Sequence, residues 1–337
     1  MPDQLLFAME VSLNGLMTGI MYALVALGFV LIYKASGIFN YSQGVMALFA
    51  AMTLVGIQEG RVPFSHLINS IFGTHITEFG FEVPALLAIL LTVAVMIAFA
   101  LFVQKFVFRH LVGQEPIILF MATIGLAYFL EGVSDLMWGS EIRQLDVGLP
   151  QGINGAIDNA TFEALGYGFF IDNLDISAAI IAAILVAVLI AFAQYTKQGR
   201  AMRAVADDHQ AALSVGISLN YVWILVWSLA GIVALVAGVM WGSKSGVQFS
   251  LSLIALKALP VLMLGGFTSI PGAIIGGLII GMGEALFEFV VSSNDLFGAW
   301  FGFTFSATEN WFAYVLALAF LVFRPQGLFG ERIIERV

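Results

Sequence analysis

Two stretches of twenty consecutive residues, Pro84–Val103 and Ile176–Tyr195, carry no charged side chain. A helix of about 20 apolar residues is what the hydrocarbon core of a bilayer asks for. The rest of the chain agrees with that reading. It is 61% hydrophobic and 10% charged, with a mean hydropathy of +1.00, whereas a soluble domain carries about 25% charged residues. There is too little charge to cover a water-facing surface of this size, so lipid is the solvent over much of it.

Apolar segments fall at 11–33, 44–57, 84–103, 116–138, 176–195, 219–241, 251–265, 271–291 and 310–323. The second, seventh and ninth are short for a crossing. The expectation is an all-α, polytopic membrane protein with about 8–9 transmembrane helices, built as one transmembrane domain over residues 1–337. The amino terminus lacks a basic region before its first apolar run and no small-residue cleavage site follows, so the first helix is expected to be retained.

Orientation follows from Lys and Arg. The connections 104–115 (Lys105, Arg109) and 196–218 (Lys197, Arg200, Arg203) are basic, as is the tail with Arg324, Arg332 and Arg336. The connection 139–175 holds six acidic residues, Glu141, Asp146, Asp158, Glu163, Asp172 and Asp175, against Arg143 alone. Alternation of nine segments puts the basic connections and Lys34 on one face, the cytoplasm, and places 139–175 in the periplasm. Most of the acidic residues then lie outside with Arg61, Arg143 and Lys244. The amino terminus lies outside in that scheme, and inside if 44–57 is re-entrant.

Several functions are excluded by what is missing. The chain has no cysteine, hence no thiolate chemistry. It has no G-x-x-x-x-G-K-[ST] loop to hold nucleotide phosphates and no H-E-x-x-H, and no G-x-S-x-G elbow. His66, His75, His110 and His209 all lie in connections without metal-ligand spacing. The net charge is −9, although the charges are sorted by side; no cofactor, metal or nucleic-acid partner is expected.

Glycine is concentrated in the spans. Gly15/Gly19, Gly238/Gly242, Gly272/Gly276 and Gly277/Gly281 have G-x-x-x-G spacing, which lets helix backbones approach closely. Two Gly-bounded polar turns, Gly37–Gly44 and Gly265–Gly272, interrupt the apolar runs. They read either as ordinary loops or as the breaks that mark binding sites in transporters. Polar groups within or beside spans are the candidates for a translocation path: Asn14, Asn40, Ser42, Gln43, Lys257, Glu284 and Glu288. Charge at that depth is costly unless paired or wetted. With a tight turn at 266–270, Lys257 and Glu284 come within about one helical turn, roughly 6 Å along the axis; a structural ion pair is expected ahead of the alternative, direct contact with substrate. Glu131 and Asp135 share a face near the outer end of their span.

The connection 196–218 is expected to form a cytoplasmic helix over 200–215, stopped by Gly216. A helix there could offer a partner Arg200, Arg203, Asp207 and Asp208, with Ala204 and Ala212 allowing close seating; it could equally be a plain connector.

At this point a family comes into view. Gly15–Tyr33 running into Gly37–Gly44, the segment Gly199–Asp208 with Ala211, Ala212, Gly216 and Ile217, then Gly265–Gly277 and Phe323–Gly330, resemble in order the LivH-type permeases of branched-chain amino-acid ABC importers. The resemblance implies a permease subunit of the bacterial inner membrane, working beside a LivM-type second permease, two cytoplasmic ATPases and a periplasmic amino-acid-binding protein. It implies that Gly199, Arg200, Arg203, Ala204, Asp207, Asp208, Ala212 and Gly216 couple the spans to the ATPases, and that ATP is hydrolysed on another chain. Connections 58–83, 139–175 and 292–309 are long for the family, and Tyr41-Ser42-Gln43 departs from its commonest wording. Urea and short amides are carried by related permeases, and an ATP-independent secondary transporter is a rival class.

Overall fold

Backbone amides in hydrocarbon have no water to bond, so a chain this apolar satisfies them within helices. The computed structural model describes residues 2–73, 75, 77–111, 113–293 and 309–330. Its described residues form α1 Pro2–Ser36, α2 Gln43–Gln58, α3 Ser65–Phe72, α4 Ala85–Phe106, α5 Pro116–Trp138, α6 Gly155–Leu165, α7 Asn173–Tyr195, α8 Lys197–Asp207, α9 His209–Ser214, α10 Leu219–Ser245, α11 Ile254–Gly265, α12 Ile270–Ser293 and α13 Glu309–Phe323. Extended pairing among them is confined to isolated bridges. Arg332 and Arg336 of the basic tail lie outside the described residues.

Among the described residues, six helices are long and apolar enough to cross a bilayer: α1, α4, α5, α7, α10 and α12. The segments that the sequence marks as short are the shorter apolar helices Gln43–Gln58, Phe249–Gly265 and Trp311–Phe323. At 1.5 Å per residue α2 is about 24 Å long, whereas α1 reaches about 52 Å.

The chain divides into two compact units, each discontinuous in sequence. One comprises Met1–Ala26, Leu149–Ile184 and Leu256–Val337, the other Leu27–Gly148 and Leu185–Ala255. Helices α1 and α7 therefore each contribute to both.

In the second unit α2 is the central element. Fourteen of its sixteen residues, Gln43 to Gly56, are buried, because α4, α5, α10 and a 3-10 turn at Phe249–Leu253 pack around it. Small residues make this possible. A Cβ on Gly238 would lie 2.4 Å from the Ala47 carbonyl oxygen, and one on Gly44 would lie 2.2 Å from that of Ser252. Leu86, Leu87, Leu90 and Leu91 of α4 are exposed, as expected of a face turned to lipid. The loop after α5 is pinned by Arg143, whose backbone pairs with Val247. Its guanidinium donates to the Trp138 carbonyl and lies 3.8 Å from Glu59. Burial, with Arg61 nearby, holds the Arg143 pKa below the ordinary arginine value, although Glu59 and Glu141 pull it upward.

The first unit is organised by a seam between α1 and α12. Gly15 and Gly19 of one face Gly277 and Gly281 of the other, so two of the G-x-x-x-G pairs seen in the sequence serve each other. A Cβ on Gly19 would meet the Gly277 carbonyl oxygen at 2.3 Å, and one on Gly281 would meet that of Gly15 at 2.4 Å. Helix α13 packs on α12 through Phe312, stacked on Phe287 at 4.2 Å. The turn between α11 and α12 is closed by the C-terminal segment. Leu328 and Phe329 donate backbone bonds to the carbonyls of Leu264 and Gly265 at 2.8 and 3.2 Å. Gly266, at φ +101°, sits 2.7 Å (as a virtual Cβ) from the Gly330 nitrogen. Any side chain there would be blocked by backbone.

One expectation is corrected. The sequence suggests a single helix over 200–215, but the structure has two, α8 and α9, separated at Asp208 (φ −158°, ψ 112°). The Asp208 carboxylate accepts from the Gln210 and Ala211 amides at 2.8 and 3.0 Å. A short acidic side chain competes with the helical ladder in this way, and it caps the second helix instead of continuing the first. Helix α8 also starts earlier, at Lys197, where the Thr196 hydroxyl accepts from the Gly199 amide at 2.9 Å.

Candidate functional site

From the glycine seam, α1 and α12 run antiparallel toward the α1 amino terminus, where Phe7 meets Phe289 edge-on at 5.3 Å. Alongside the seam, from Tyr22 to that aromatic contact, lies a cavity of about 370 Å³. Asn14, Thr18 and Tyr22 line it from α1 at four-residue spacing, and Glu284 and Glu288 line it from α12. Residues four apart share a helix face, so two polar stripes confront one another in the midst of apolar spans. Phe7, Val11, Ala285 and Phe289 supply the apolar part of the wall.

Glu284 is 5% exposed, whereas Glu288 is open. Lys257 of α11 reaches the same place through Tyr22. Its ammonium donates to the Tyr22 hydroxyl at 3.3 Å and lies 5.7 Å from the ring centroid. Thus Asn14, Glu284 and Glu288 gather at one cavity with Lys257 at its Tyr22 end. The cavity thus has an acidic and an apolar wall, and Lys257 reaches its edge only through Tyr22.

One rim of this cavity is strapped. Glu10, one turn from Asn14, accepts from the Tyr167 hydroxyl at 2.8 Å and from the Phe170 amide at 3.1 Å. Asn14 donates to the Phe170 carbonyl at 3.3 Å. The residues 167–170, from the connection after α6, are tied to α1 by these bonds. Sequence reading missed Thr18, Tyr22 and Glu10. The 14/18/22 spacing was a signal available for the first two; no local pattern announces that Glu10 meets a segment about 157 residues away.

Asn40, Ser42 and Gln43 belong to the other unit and are 0% exposed. The Ser42 hydroxyl donates to Asn40 Oδ1 at 2.6 Å, Asn40 Nδ2 donates to Gln43 Oε1 at 3.3 Å, and Gln43 Nε2 donates to the Ala230 carbonyl at 3.4 Å. Thr123 holds the same turn from α5, its hydroxyl donating to the Phe39 carbonyl and accepting from the Tyr41 amide, each at 3.1 Å. Gly28 leaves room for the Gln43 side chain, since a Cβ there would lie 1.8 Å from Nε2. This buried, mutually bonded knot fixes how the chain leaves α1 and enters α2.

In the connection 196–218, Arg200, Arg203, Asp207, Asp208 and Gly216 are exposed, Ala204 is half-buried, and Gly199 and Ala212 are buried. Met202 and Val205 face inward and α8 packs on α10. The Gly199 backbone comes so close to α7 that a Cβ would lie 2.3 Å from the Phe192 carbonyl oxygen. One face of α8 is thus fixed to the spans while its charges project outward. No group of His, Cys, Asp or Glu suited to a metal ion occurs among the described residues.

Long apolar helices, a polar cavity in one of their seams and a charged surface helix joined to them define a membrane transport component. The chain belongs to the family of branched-chain amino acid transport system permease components, whose family model matches residues 11–324. The high-affinity branched-chain amino acid transport system permease protein LivH of Escherichia coli (strain K12) is 26% identical over 348 aligned residues, covering 100% of both chains. The corresponding permease protein BraD of Pseudomonas aeruginosa is 27% identical over 333 residues, covering 96% of each. No solved structure matches the chain. It is accordingly a multi-pass permease component of the inner membrane within an ABC import system, not a catalytic subunit.

Proposed function

We propose that this chain is one subunit of a heterodimeric permease carrying branched-chain or related amino acids inward. A LivM-type second permease, two cytoplasmic ATPases and a periplasmic binding protein complete the importer. The observation that carries the reading is the family match over almost the whole length, joined by full-length relatives whose names specify branched-chain amino acids. In this reading the three shorter apolar helices bring the number of spans to eight or nine, with connection 196–218 in the cytoplasm and 139–175 outside.

Helix α8 passes ATPase motion to the spans. Its support is geometric: an inward face seated on α10, and Arg200, Arg203 and Asp207 directed outward. Basic residues in the first turn oppose the helix dipole, so helix stability does not account for Lys197 and Arg200; an acidic or polar groove on a partner does.

The test is uptake of labelled leucine into proteoliposomes holding the permease pair and ATPases, with binding protein added. Uptake is expected only with ATP, and competition by isoleucine and valine is expected to exceed that by urea or acetamide. Uptake that persists without ATP and ATPases would make it a secondary transporter, and preference for urea or acetamide would reassign the cargo.

A further inference from the structure

We propose that the connection between α2 and α4 rests on the bilayer surface through the apolar side of α3 and the Phe79–Phe81 pair, its partner being the acyl-chain boundary of zwitterionic lipid. Helix α3 reads Ser65-His-Leu-Ile-Asn-Ser-Ile-Phe72. At about 100° per residue, Leu67, Ile68, Ile71 and Phe72 fall on one side and Ser65, Asn69 and Ser70 on the other. The protein covers little of the apolar side. Ile68 is half-buried and α3 packs on α5, but Leu67, Ile71 and Phe72 are 48%, 65% and 73% exposed. Phe79 and Phe81 are exposed as well, and their ring centroids stand 6.1 Å apart.

The level of α3 in the fold assigns this surface to lipid. The Phe64 amide donates to the Met137 carbonyl at 3.1 Å, so α3 starts beside the last turn of α5. With 23 residues, α5 is about 35 Å long. That slightly exceeds the roughly 30 Å of the hydrocarbon core, and its last turn therefore meets the headgroup boundary. The chain is held there. Val62 and Phe79 donate to the carbonyls of Thr77 and Gly60 at 3.0 and 2.7 Å. Phe64, the only described non-glycine residue with a left-handed φ (59°), turns the chain into α3. The exposed apolar surface resumes at Leu86 and Leu87 of α4, read above as facing lipid. Charge then selects the kind of lipid. The formal charges of 58–83 are Glu59, Arg61, Glu78 and Glu82, and Arg61 is bound to Glu59 at 2.7 Å. An acidic balance does not attract anionic headgroups, so binding rests on buried apolar area, as in helices that lie in the interface.

The chain has no cysteine, so Leu67→Cys, Ile71→Cys and Ser70→Cys each carry a single fluorophore. The full-length labelled chain is placed in phosphatidylcholine nanodiscs and quenched either by lipid bearing a nitroxide near the headgroup end of its acyl chain or by aqueous iodide. The ratio of lipid to iodide quenching should exceed one at positions 67 and 71 and fall below one at position 70. It should not change when anionic lipid is added or salt is raised. It should also survive assembly of the labelled chain with a second permease, ATPases and binding protein. Iodide prevailing at positions 67 and 71 overturns the proposal. So does lipid quenching that requires anionic lipid, which would make the headgroup charge the partner, or lipid quenching lost on assembly, which would make it a protein. Should the labelled variants fail to fold, hydroxyl-radical footprinting of the unmodified chain in nanodiscs decides. Phe72, Phe79 and Phe81 should stay unoxidised there, and extensive oxidation of all three overturns the proposal.

Discussion

Replacing Gly281 with alanine tests whether the α1–α12 seam holds the first unit together. The added Cβ would lie 2.4 Å from the Gly15 carbonyl oxygen, 2.4 Å from Gly19 Cα and 2.5 Å from the Gly19 nitrogen. All three are backbone atoms and none can rotate aside. Ordinary Cβ contacts begin at 3.4 Å, so the helices must separate locally by about an ångström. Close backbone approach is what binds helices in lipid, where no hydrophobic force draws them together, and overpacking of this kind costs about 1–3 kcal/mol. The folded-to-unfolded ratio should fall accordingly, about 5-fold for a loss of about 1 kcal/mol and about 30-fold for about 2 kcal/mol. Steric trapping of the purified protein in bicelles measures that shift. The internal control is Gly125→Ala in α5, where a Cβ meets nothing within 4 Å; helix propensity makes this change neutral or stabilising by up to about 1 kcal/mol. Equal stability of Gly281→Ala and Gly125→Ala would refute the seam.

Three further outcomes are expected. Lys257→Met and Glu284→Gln should each destabilise by about 3–5 kcal/mol if the two form a buried ion pair, with the double mutant recovering part of the loss; strict additivity in the stability cycle rules the pair out. Arg143→Met should release the loop after α5 and cost about 1.5–3 kcal/mol, the range for hydrogen bonds from a charged donor. Hydrogen exchange at the Val247 amide reports it, and unchanged protection there would deny the pin. In this cysteine-free chain, Ala160→Cys should react with an impermeant maleimide on intact spheroplasts and Arg200→Cys only after permeabilisation, the reverse result inverting the topology.

Much of this architecture could be read from residues, because lipid imposes a coarse rule. Uncharged runs at 84–103 and 176–195 can hardly be anything but spans, and they became α4 and α7. The G-x-x-x-G spacings announced close packing, but not that 15/19 would choose 277/281, since pairing between distant helices leaves no local mark. Glu284 and Glu288 stood out as charges in apolar runs, whereas Thr18 and Tyr22 were hidden by being ordinary in a span. The break at Asp208 was misread because Asp in a stretch rich in Ala and charge scores as weak helix, and only its side-chain bonds to Gln210 and Ala211 decide otherwise. Asn40, Ser42 and Gln43 stand out in the sequence by their polarity beside apolar runs. Their complete burial and mutual bonding could not be foreseen from a turn sequence.

The order in which a ribosome delivers these helices gives the glycine seam a second meaning. Gly19 emerges 258 residues before its partner Gly277, about 13–50 s earlier at roughly 5–20 residues per second. Throughout that interval the Asn14–Thr18–Tyr22 stripe of α1 is already committed to the bilayer while α12 does not yet exist. The second unit, spanning Leu27–Gly148 and Leu185–Ala255, is synthesised entirely within the wait and can consolidate around α2 first. The first unit closes last, as a late docking of α12 onto a helix that has stood half-finished since the start of synthesis. A chain that stops between Ala255 and Ile270 therefore holds every residue of the second unit, yet its Gly15 and Gly19 have no α12 to pack against.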